Sequence, residues 1–322
     1  MTIPRIGVTL GDPAGIGPEV ALKALSDASS LPKARFTLFG NTRWIKEEMK
    51  SLGLNPESLF QKTSSKQDLP EFSIHEIQKS PESIKKGLPS PENGMFSFLA
   101  FETAVREAQN HNLQAIITAP ISKHSWEKGG IKWAGHTDFL QSFYPKAIMS
   151  FWSKKLKVAL FSHHVSLMEA VKKIEKNALL DFICALDMSL QTSKPNPFKI
   201  YVAGLNPHAG ESGLLGQEEE KEIIPAIEEA QNKGLNIHGP LSPDVIFRKA
   251  LSIPDAIIVA LYHDQGLIPF KLEAFDKGVN ATLGLPFVRT SPDHGTAFDI
   301  AGKGLADPTS MIEAVHLAYD FL

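Results

Sequence analysis

Three histidines stand just past three separate apolar segments of the chain. They share one position, a few residues beyond a segment's end: His164 after 158–161, His208 after 199–203, and His263 after 256–261. Three neutral imidazoles can hold Zn²⁺ or a similar divalent ion and leave open positions for a substrate. One turn histidine is more often a hydrogen-bonded loop residue, so the repeated placement carries the metal hypothesis.

The histidines are far apart in sequence, which excludes a local zinc finger or an H-E-x-x-H helix. Separate strands must therefore bring the rings together. His163 precedes His164 directly, and neighbouring side chains of an extended segment point in opposite directions. We therefore expect only one histidine of this pair to bind a metal.

Residues 270–299 are rich in groups that suit a small anion. Arg binds planar oxyanions through paired donors and Lys acts as a point charge, which predicts a phosphate- or carboxylate-binding loop here. A second polar cluster, GHTDFL at 135–140, offers an imidazole and a hydroxyl, although its Asp138 could simply cap a helix. The polar groups of 270–299 are Lys271, Asn280, Arg289, Thr290, Ser291, Asp293 and His294.

Strand-like and helix-like segments alternate along the chain. This order, with strands that are apolar throughout, predicts an α/β fold with mainly parallel sheets. The polar, proline-broken stretch 54–93 is expected to form surface loops with one edge strand. Strands are predicted at 6–10, 36–39, 115–118, 158–161, 199–203 and 256–261, and helices at 16–25, 95–109, 167–190, 217–233 and 243–251.

The composition bounds the class of protein. A length of 322 residues favours two domains, and 43% hydrophobic with 21% charged residues is typical of a soluble globular protein. The net charge of −3 gives no basic stripe for nucleic acid. Cys184, the one cysteine, is expected to be a buried thiol in a reducing compartment. The start of the chain lacks signal-peptide features and no long apolar run predicts a membrane helix, so the cytoplasm is expected.

The loop GDPAGIGPE after the first strand has glycines at 11, 15 and 17. This is not the G-x-G-x-x-G spacing, and the next strand ends Phe39-Gly40-Asn41 without a carboxylate, so a Rossmann dinucleotide site is disfavoured. Two interpretations stay open. The loop is either a tight turn with Pro18 in the first helical turn, or an anion or cofactor contact at the helix N-terminus.

Five blocks occur in order over nearly the whole chain: GDPAGIGPE, GHTDFL, NPHAGE, YHDQG-IPFK and G-LPFVRTSPDHGTAFDIAGKG. Together they resemble the 4-hydroxythreonine-4-phosphate dehydrogenase family of pyridoxal 5′-phosphate biosynthesis. The resemblance implies two α/β/α domains with a cleft between them, similar to the isocitrate and isopropylmalate dehydrogenases. We expect the first domain at about 1–135 plus 297–322 and the second at 136–296. It also implies a homodimer with the active site at the subunit interface.

The resemblance also assigns site residues. His164, His208 and His263 match the family's metal ligands, with Zn²⁺ expected first and Mg²⁺ or Co²⁺ as alternatives. The chain departs from the family beside His164, where Ser166 replaces a usual proline. The positions that match substrate contacts are His136, Thr137, Lys271, Asn280 and Arg289.

The implied reaction is oxidation of a C3 hydroxyl by NAD, or alternatively NADP. The divalent ion would lower the pKa of that hydroxyl, and the 3-oxo acid would decarboxylate to 3-amino-2-oxopropyl phosphate. Lys123 and Asp264 are the candidates for accepting the hydroxyl proton. The residues that bind the cofactor cannot be identified from the sequence.

Three alternatives remain at this stage. A catabolic dehydrogenase of 4-phospho-threonate or 4-phospho-erythronate would show similar metal and phosphate sites. A zinc hydrolase would use the same three histidines with a water molecule. A two-domain protein that binds a ligand without catalysis would keep the same clusters.

Overall fold

The computed structural model describes residues 3–27, 29–60, 70–191 and 198–322. The chain divides into two compact units. Unit 1 comprises Met1–Phe143 with Pro286–Leu322, and unit 2 comprises Tyr144–Leu285. Segments 136–143 and 286–296, which the sequence-based boundaries put in the second domain, pack within unit 1. The exact domain boundaries stay a prediction.

The elements are numbered in chain order. The strands are β1 Arg5–Thr9, β2 Arg35–Gly40, β3 Glu71–Glu76, β4 Ala115–Thr118, β5 Ile148–Trp152, β6 Lys157–Leu160, β7 Lys199–Ala203, β8 Ile237–Leu241, β9 Ala256–Ala260, β10 Val279–Leu283 and β11 Val288–Pro292. The helices are α1 Gly17–Ser26, α2 Thr42–Ser51, α3 Pro56–Phe60, α4 Pro91–Gln109, α5 Lys123–Lys128, α6 His136–Phe143, α7 Leu167–Lys172, α8 Lys176–Gln191, α9 Ile224–Asn232, α10 Pro243–Ala250, α11 His263–Ala274 and α12 Thr309–Asp320.

The strands of unit 1 pair in the order β3-β2-β1-β4-β11, and every one of these pairs is parallel. Every residue of β4 is buried, as expected for a strand covered on both faces. Because the strands are parallel, their carboxyl ends share one edge. The ends of β1 and β4 meet there, with Thr9 paired to Thr118.

The strands of unit 2 pair in the order β10-β5-β6-β9-β7-β8. The first two pairs are antiparallel, and the pairs among β6, β9, β7 and β8 are parallel. A core of buried side chains, among them Val158, Ile258 and Phe270, packs beside these strands. Because β6, β9 and β7 are parallel neighbours, the three histidine-bearing segments all leave the same edge.

The predicted α/β alternation is confirmed, and each of the six predicted strands is present within about one residue of its expected bounds. Segment 54–93 contains the expected strand, β3, which lies at the end of the sheet order. Two predicted helices are different in detail. Residues 167–190 form two helices, α7 and α8, and residues 217–233 begin with a π-helical turn, Glu219–Ile223, before α9.

The prediction of a binding loop over 270–299 is wrong for much of its length. Lys271 lies in α11, Asn280 in β10 and Arg289 in β11. Thr282 and Thr290 are buried within the two strands, and this mixture of small polar and apolar residues hides the strand pattern. Within the described residues, no helix has the length and apolar character needed to cross a membrane.

Candidate active site

Arg289 contacts Thr118 and His136 in unit 1, and these three residues form a buried cationic cluster that we call the corner. The side chain of Arg289 projects from β11, and the residue is 4% exposed. Nε and one terminal nitrogen donate to the hydroxyl of Thr118, at 3.2 and 2.8 Å. Burial lowers the pKa of Arg289 to about 10, so the guanidinium still carries its charge at neutral pH.

His136 completes this corner at the start of α6. Its Nδ1 lies 3.2 Å from a guanidinium nitrogen of Arg289, which can only donate, so Nδ1 accepts and the ring proton is on Nε2. Burial first, and the charge of Arg289 second, hold the pKa of His136 well below 6.5. His136 is therefore neutral at physiological pH.

The Nε2–H of His136 is a buried donor that finds no acceptor in the part of the chain that the structure describes. The ring is held by aromatic neighbours, with Phe101 at 4.4 Å and Trp126 at 5.5 Å between ring centroids. A buried donor without an acceptor is costly unless a ligand supplies one. Together with the cationic Arg289, this donor suits an anionic oxygen.

Other predicted residues of unit 1 lie close to this corner. Thr137 follows His136 in α6, and the carboxylate of Asp138 accepts the backbone N–H of Ala134, which closes the turn before the helix. Lys123 begins α5 and is exposed. Its Cε lies 3.7 Å from the point where a Cβ on Gly135 would stand. Lys123 therefore reaches the residue that precedes His136.

The glycines of the loop 11–19 allow it to pack closely against neighbouring backbone. A Cβ on Gly11 would stand 2.1 Å from the carbonyl oxygen of Pro120, and one on Gly15 would stand 2.9 Å from that of Thr296. The N–H of Ile16, at the start of α1, donates to Thr296 at 2.9 Å. Because this helix start is buried and contacts the backbone, the tight-turn interpretation is favoured over an anion contact.

Two of the three predicted metal ligands meet at one cavity of unit 2. His164 and His263 have ring centroids 5.8 Å apart. The cavity has a volume of about 250 Å³, and Ser162, Tyr262 and Asp264 are among its other lining residues. Nδ1 of His263 lies 2.7 Å from the carboxylate of Asp264, which accepts only, so Nδ1 carries the proton and Nε2 keeps its lone pair. This is the usual arrangement of a metal-binding histidine.

The third histidine, His208, is placed differently. It is exposed in a 3-10 turn, Pro207–Gly210, that follows β7. Within residues 3–27, 29–60, 70–191 and 198–322, no three His, Cys, Asp or Glu side chains are grouped as metal ligands. Three imidazoles are suitable ligands for a divalent ion, and the segments that carry them leave the same edge of the sheet. Among the described residues of one chain, however, His164 and His263 lie together and His208 lies apart.

Both His164 and His208 adopt the left-handed backbone conformation, with φ of 51° and 53°. This conformation is costly for residues with a Cβ, and it is found preferentially at functional sites. His163 lines the same cavity as His164, with the two rings at 5.3 Å and perpendicular.

Ser166, where the family usually has proline, begins α7 as its N-cap. Its hydroxyl accepts the N–H of Glu169, and the Glu169 carboxylate accepts the N–H of Ser166, which is a capping box. The φ of Ser166 is −63°, the value that a proline ring imposes. A hydrogen-bonded cap therefore replaces the proline in fixing this turn.

The remaining predicted substrate residues belong to unit 2. Lys271 is partly buried in α11, and its Nζ lies 5.8 Å from the ring centroid of Phe275. Asn280, in β10, is also partly buried and pairs with Phe151 of β5. Arg289 belongs to unit 1, so the predicted anion-binding set is divided between the two units.

The sequence analysis missed two residues that organise these sites. Thr118 accepts the hydrogen bonds of Arg289, and its position at the carboxyl end of a buried strand was the available signal. Glu219 accepts backbone N–H groups beside the His208 turn. The sequence showed it only as the middle residue of a run of three glutamates. The bonding partners of a buried carboxylate cannot be read from local sequence.

The fold defines a two-unit α/β protein with a buried cationic corner, and comparison with known proteins gives its family. The family described as "Pyridoxal phosphate biosynthetic protein PdxA" matches residues 32–318. This chain belongs to that family and is an oxidoreductase, since its relatives are dehydrogenases.

Two relatives and one solved structure illustrate the similarity. A 4-hydroxythreonine-4-phosphate dehydrogenase of Sulfurihydrogenibium sp. is 40% identical, covering 98% of this chain and 97% of the relative. A protein of Oceanobacillus iheyensis, provisionally named a D-threonate 4-phosphate dehydrogenase, is 39% identical with the same coverage of 98% and 97%. The crystal structure of a 4-hydroxythreonine-4-phosphate dehydrogenase from Klebsiella pneumoniae is 34% identical, with a TM-score of 0.87 and coverage of 99% and 98%.

The expected similarity to decarboxylating dehydrogenases holds at the level of the fold. A β-decarboxylating dehydrogenase from Thermococcus kodakarensis is 16% identical, with a TM-score of 0.50 and coverage of 99% of this chain and 83% of that one. At this identity only the fold is shared.

Proposed function

We propose that this chain oxidises the C3 hydroxyl of 4-hydroxy-L-threonine 4-phosphate with NAD, in pyridoxal 5′-phosphate biosynthesis. Membership of the PdxA family supports the reaction class, and one structural observation carries the substrate class. That observation is the buried corner in which a charged Arg289 and the unfilled Nε2–H of His136 lie side by side. Such a corner stabilises an anionic oxygen of a phosphorylated acid.

The residues of unit 1 bind and orient the substrate in this proposal. Arg289 is held by Thr118 and by His136, so its guanidinium group is preorganised rather than mobile. His136 stays neutral beside the guanidinium and presents a donor, and Thr137 adds a hydroxyl next to it. From unit 2, Lys271 and Asn280 are proposed to contact the substrate's other polar groups.

His164, His208 and His263 are proposed to hold one divalent ion, with Zn²⁺ as the first choice and Mg²⁺ or Co²⁺ as alternatives. The orientation of His263 by Asp264 supports this assignment, because it leaves Nε2 available as a ligand. When bound, the ion supplies Lewis-acid stabilisation of negative charge at the reacting oxygen.

The reaction balances with NAD as the two-electron oxidant, and NADP is the alternative. The hydroxyl hydrogen leaves as a proton, and the hydrogen on C3 leaves with its electron pair and reduces the nicotinamide. The resulting 3-oxo acid loses carbon dioxide and gives 3-amino-2-oxopropyl phosphate. Asp264 is occupied in orienting His263, so we propose Lys123, which reaches Gly135 beside His136, as the group that accepts the proton.

A second candidate substrate is D-threonate 4-phosphate, because a relative named for that activity is 39% identical over 98% of this chain. The two substrates differ at C2, where one carries an amino group and the other a hydroxyl. NADH formation measured with each compound, with and without a chelator, tests the proposal. We expect the higher kcat/KM with the amino compound and its loss on chelation.

The assay also separates the other classes of function. A preference for D-threonate 4-phosphate would reassign the substrate but keep the enzyme class. Consumption of substrate without NADH would indicate a hydrolase, and substrate binding without turnover would indicate a binding protein. Either of these last results would contradict the proposal.

We also propose that the active enzyme is a homodimer in the cytoplasm. Ile268, Leu272 and Phe275 form an apolar stripe at the i, i+4, i+7 spacing along and just beyond α11, and they are 60%, 84% and 74% exposed. A stripe of this kind is costly in water and suits a second copy of the chain. Leu267 and Phe270 of the same helix are instead buried within unit 2.

A further inference from the structure

The turn that carries His208 has an unusual backbone. Six consecutive residues have positive φ, although four of them carry a Cβ: His208 at 53°, Ala209 at 53°, Gly210 at 81°, Glu211 at 44°, Ser212 at 56° and Gly213 at 84°. Left-handed conformations are unfavourable for residues with a Cβ and persist only where the surroundings impose them. The turn therefore needs support from outside itself.

Glu219 supplies that support from the π-helical turn that follows. It is 1% exposed. One carboxylate oxygen, Oε1, accepts the backbone N–H groups of both Leu205 and Asn206 at 2.8 Å. The other, Oε2, accepts the side-chain amide of Asn206, also at 2.8 Å. Charge-assisted bonds from three donors fix the two residues that lead into the turn.

The carboxylate also packs directly against the turn. A Cβ on Gly204 would stand 3.3 Å from Oε1 of Glu219, and a Cβ on Gly210 would stand 2.8 Å from Oε2. The glycine before the turn and the glycine within it thus both give room to the same carboxylate. Since both of its oxygens are occupied with Leu205 and Asn206, Glu219 acts through the backbone of the turn.

We propose that Glu219 is a positioning residue for His208: it holds the left-handed turn in the one shape that presents this imidazole as a metal ligand. The inference rests on the proposed metal-dependent function and names the group on which His208's placement depends. Removing a group that orients a ligand typically weakens metal binding by about 10–100-fold.

The test uses the metal-free full-length protein and Zn²⁺ alone, titrated in competition with a chromogenic chelator. Glu219→Gln keeps the volume and one acceptor oxygen but replaces the other with a donor facing Asn206. We expect about 10–100-fold weaker Zn²⁺ binding and faster amide hydrogen exchange at Leu205 and Asn206. Glu220→Gln, one residue away and exposed, should change neither.

Two further variants separate positioning from general stability. Ile257→Val weakens the core of unit 2 at a fully buried site in β9 and should leave Zn²⁺ affinity unchanged. Asn206→Ala removes the side-chain amide that donates to Oε2 of Glu219 and to the carboxylate of Glu218, but it keeps both backbone bonds to Oε1 of Glu219. It should therefore weaken Zn²⁺ binding less than Glu219→Gln. If Glu219→Gln does not fold, Asn206→Ala against Ile257→Val gives the same comparison.

The outcomes distinguish this inference from the proposed function. If the wild-type protein binds Zn²⁺ and the Glu219 and Asn206 variants bind it equally well, the inference is overturned and the metal function stands. If the wild-type protein binds no Zn²⁺, the metal function fails, and with it the role of Glu219 toward a ligand. Faster exchange at Leu205 together with weaker Zn²⁺ binding supports both.

Discussion

The corner around Arg289 in unit 1 and the histidines of unit 2 are two candidate functional regions built in different ways. In unit 1, Arg289 is hydrogen-bonded both to Thr118 and to His136, and Arg289 and Thr118 are buried. In unit 2, two of the three proposed ligands, His164 and His263, line one cavity together with His163, and His208 stands apart on an exposed turn. One region is assembled within a single chain, whereas the other is assembled in part.

We relate the difference to what each region is proposed to bind. An anion site gains from rigid donors in a buried corner, because they need no reorganisation when the ligand arrives. A divalent ion held by three imidazoles needs every one of them, and ligands from two copies of a chain can complete such a site. We therefore expect that replacing one of the three histidines abolishes turnover. Replacing a residue of the corner should weaken substrate binding without abolishing it.

The largest effect is expected from the metal ligands. Replacing any one of His164, His208 or His263 with Ala should lower Zn²⁺ affinity by roughly 100-fold or more, beyond the usual effect of an orienting group, and remove NADH formation. Metal content after gel filtration and turnover measure this. His163→Ala is the control and should keep its metal. Full metal occupancy in all three variants would disprove the assignment.

Arg289→Lys should act on substrate binding and stability together. Lysine keeps the charge but cannot donate to Thr118 through two nitrogens, so we expect KM to rise by roughly 10-fold or more. The free energy of unfolding should fall by about 1–3 kcal/mol, because the buried hydroxyl of Thr118 loses donors. Arg35→Lys, in an exposed ion pair with Glu71, is the matched control. A lowered melting temperature with an unchanged KM would assign Arg289 a structural role only.

The corner should also make stability depend on pH. Burial and Arg289 lower the pKa of His136 in the folded state, so below about pH 6.5 the unfolded chain binds the proton more readily. Stability is then fully present above pH 6.5 and is lost as the pH falls, by at most about 1.4 kcal/mol per pH unit from this group. His136→Gln should flatten the slope measured by urea unfolding between pH 5 and 7. An identical slope in the variant would contradict this origin.

The smallest effect concerns the departure from the family sequence at Ser166. Ser166→Ala removes the capping box of α7 and should lower the free energy of unfolding by about 1 kcal/mol. Ser166→Pro should cost less, because φ is already −63° and the chain is stiffened. Ser252→Ala, at an exposed hydroxyl, is the control. Equal losses for Ala and Pro would show that the cap, rather than the turn angle, matters.

Much of the fold could be predicted from sequence, because strands buried on both faces are continuously apolar and are followed by turn residues. β4 and β7 were predicted at their observed bounds on this basis. β10 and β11 were not, since the polar side chains of Asn280 and Arg289 interrupt the apolar strand pattern. The strands that carry the proposed substrate-binding residues are thus the ones that local sequence hides.

The candidate site follows the same division. Position after a strand was enough to select His164, His208 and His263, because parallel strands end at one edge. Arg289 donates to Thr118, and Asn206 donates to Glu219. These partners are buried or distant in sequence, so no spacing rule predicts their hydrogen bonds. Asp264, predicted as a proton acceptor, is found hydrogen-bonded to His263, and its catalytic role stays a prediction.

We propose that the histidines of unit 2 form a metal site between two copies of the chain, whereas the corner of unit 1 is assembled within one copy. Mixing His263→Ala with His208→Ala, each inactive alone, tests it directly through NADH formation after subunit exchange. Because His263 shares a cavity with His164 in one copy whereas His208 stands apart, a shared site takes His263 and His208 from different copies. Half of the dimers then regain one intact site, and about a quarter of wild-type activity returns. If labelled subunits exchange and no activity returns, each site is confined to one chain and the shared-site account is wrong.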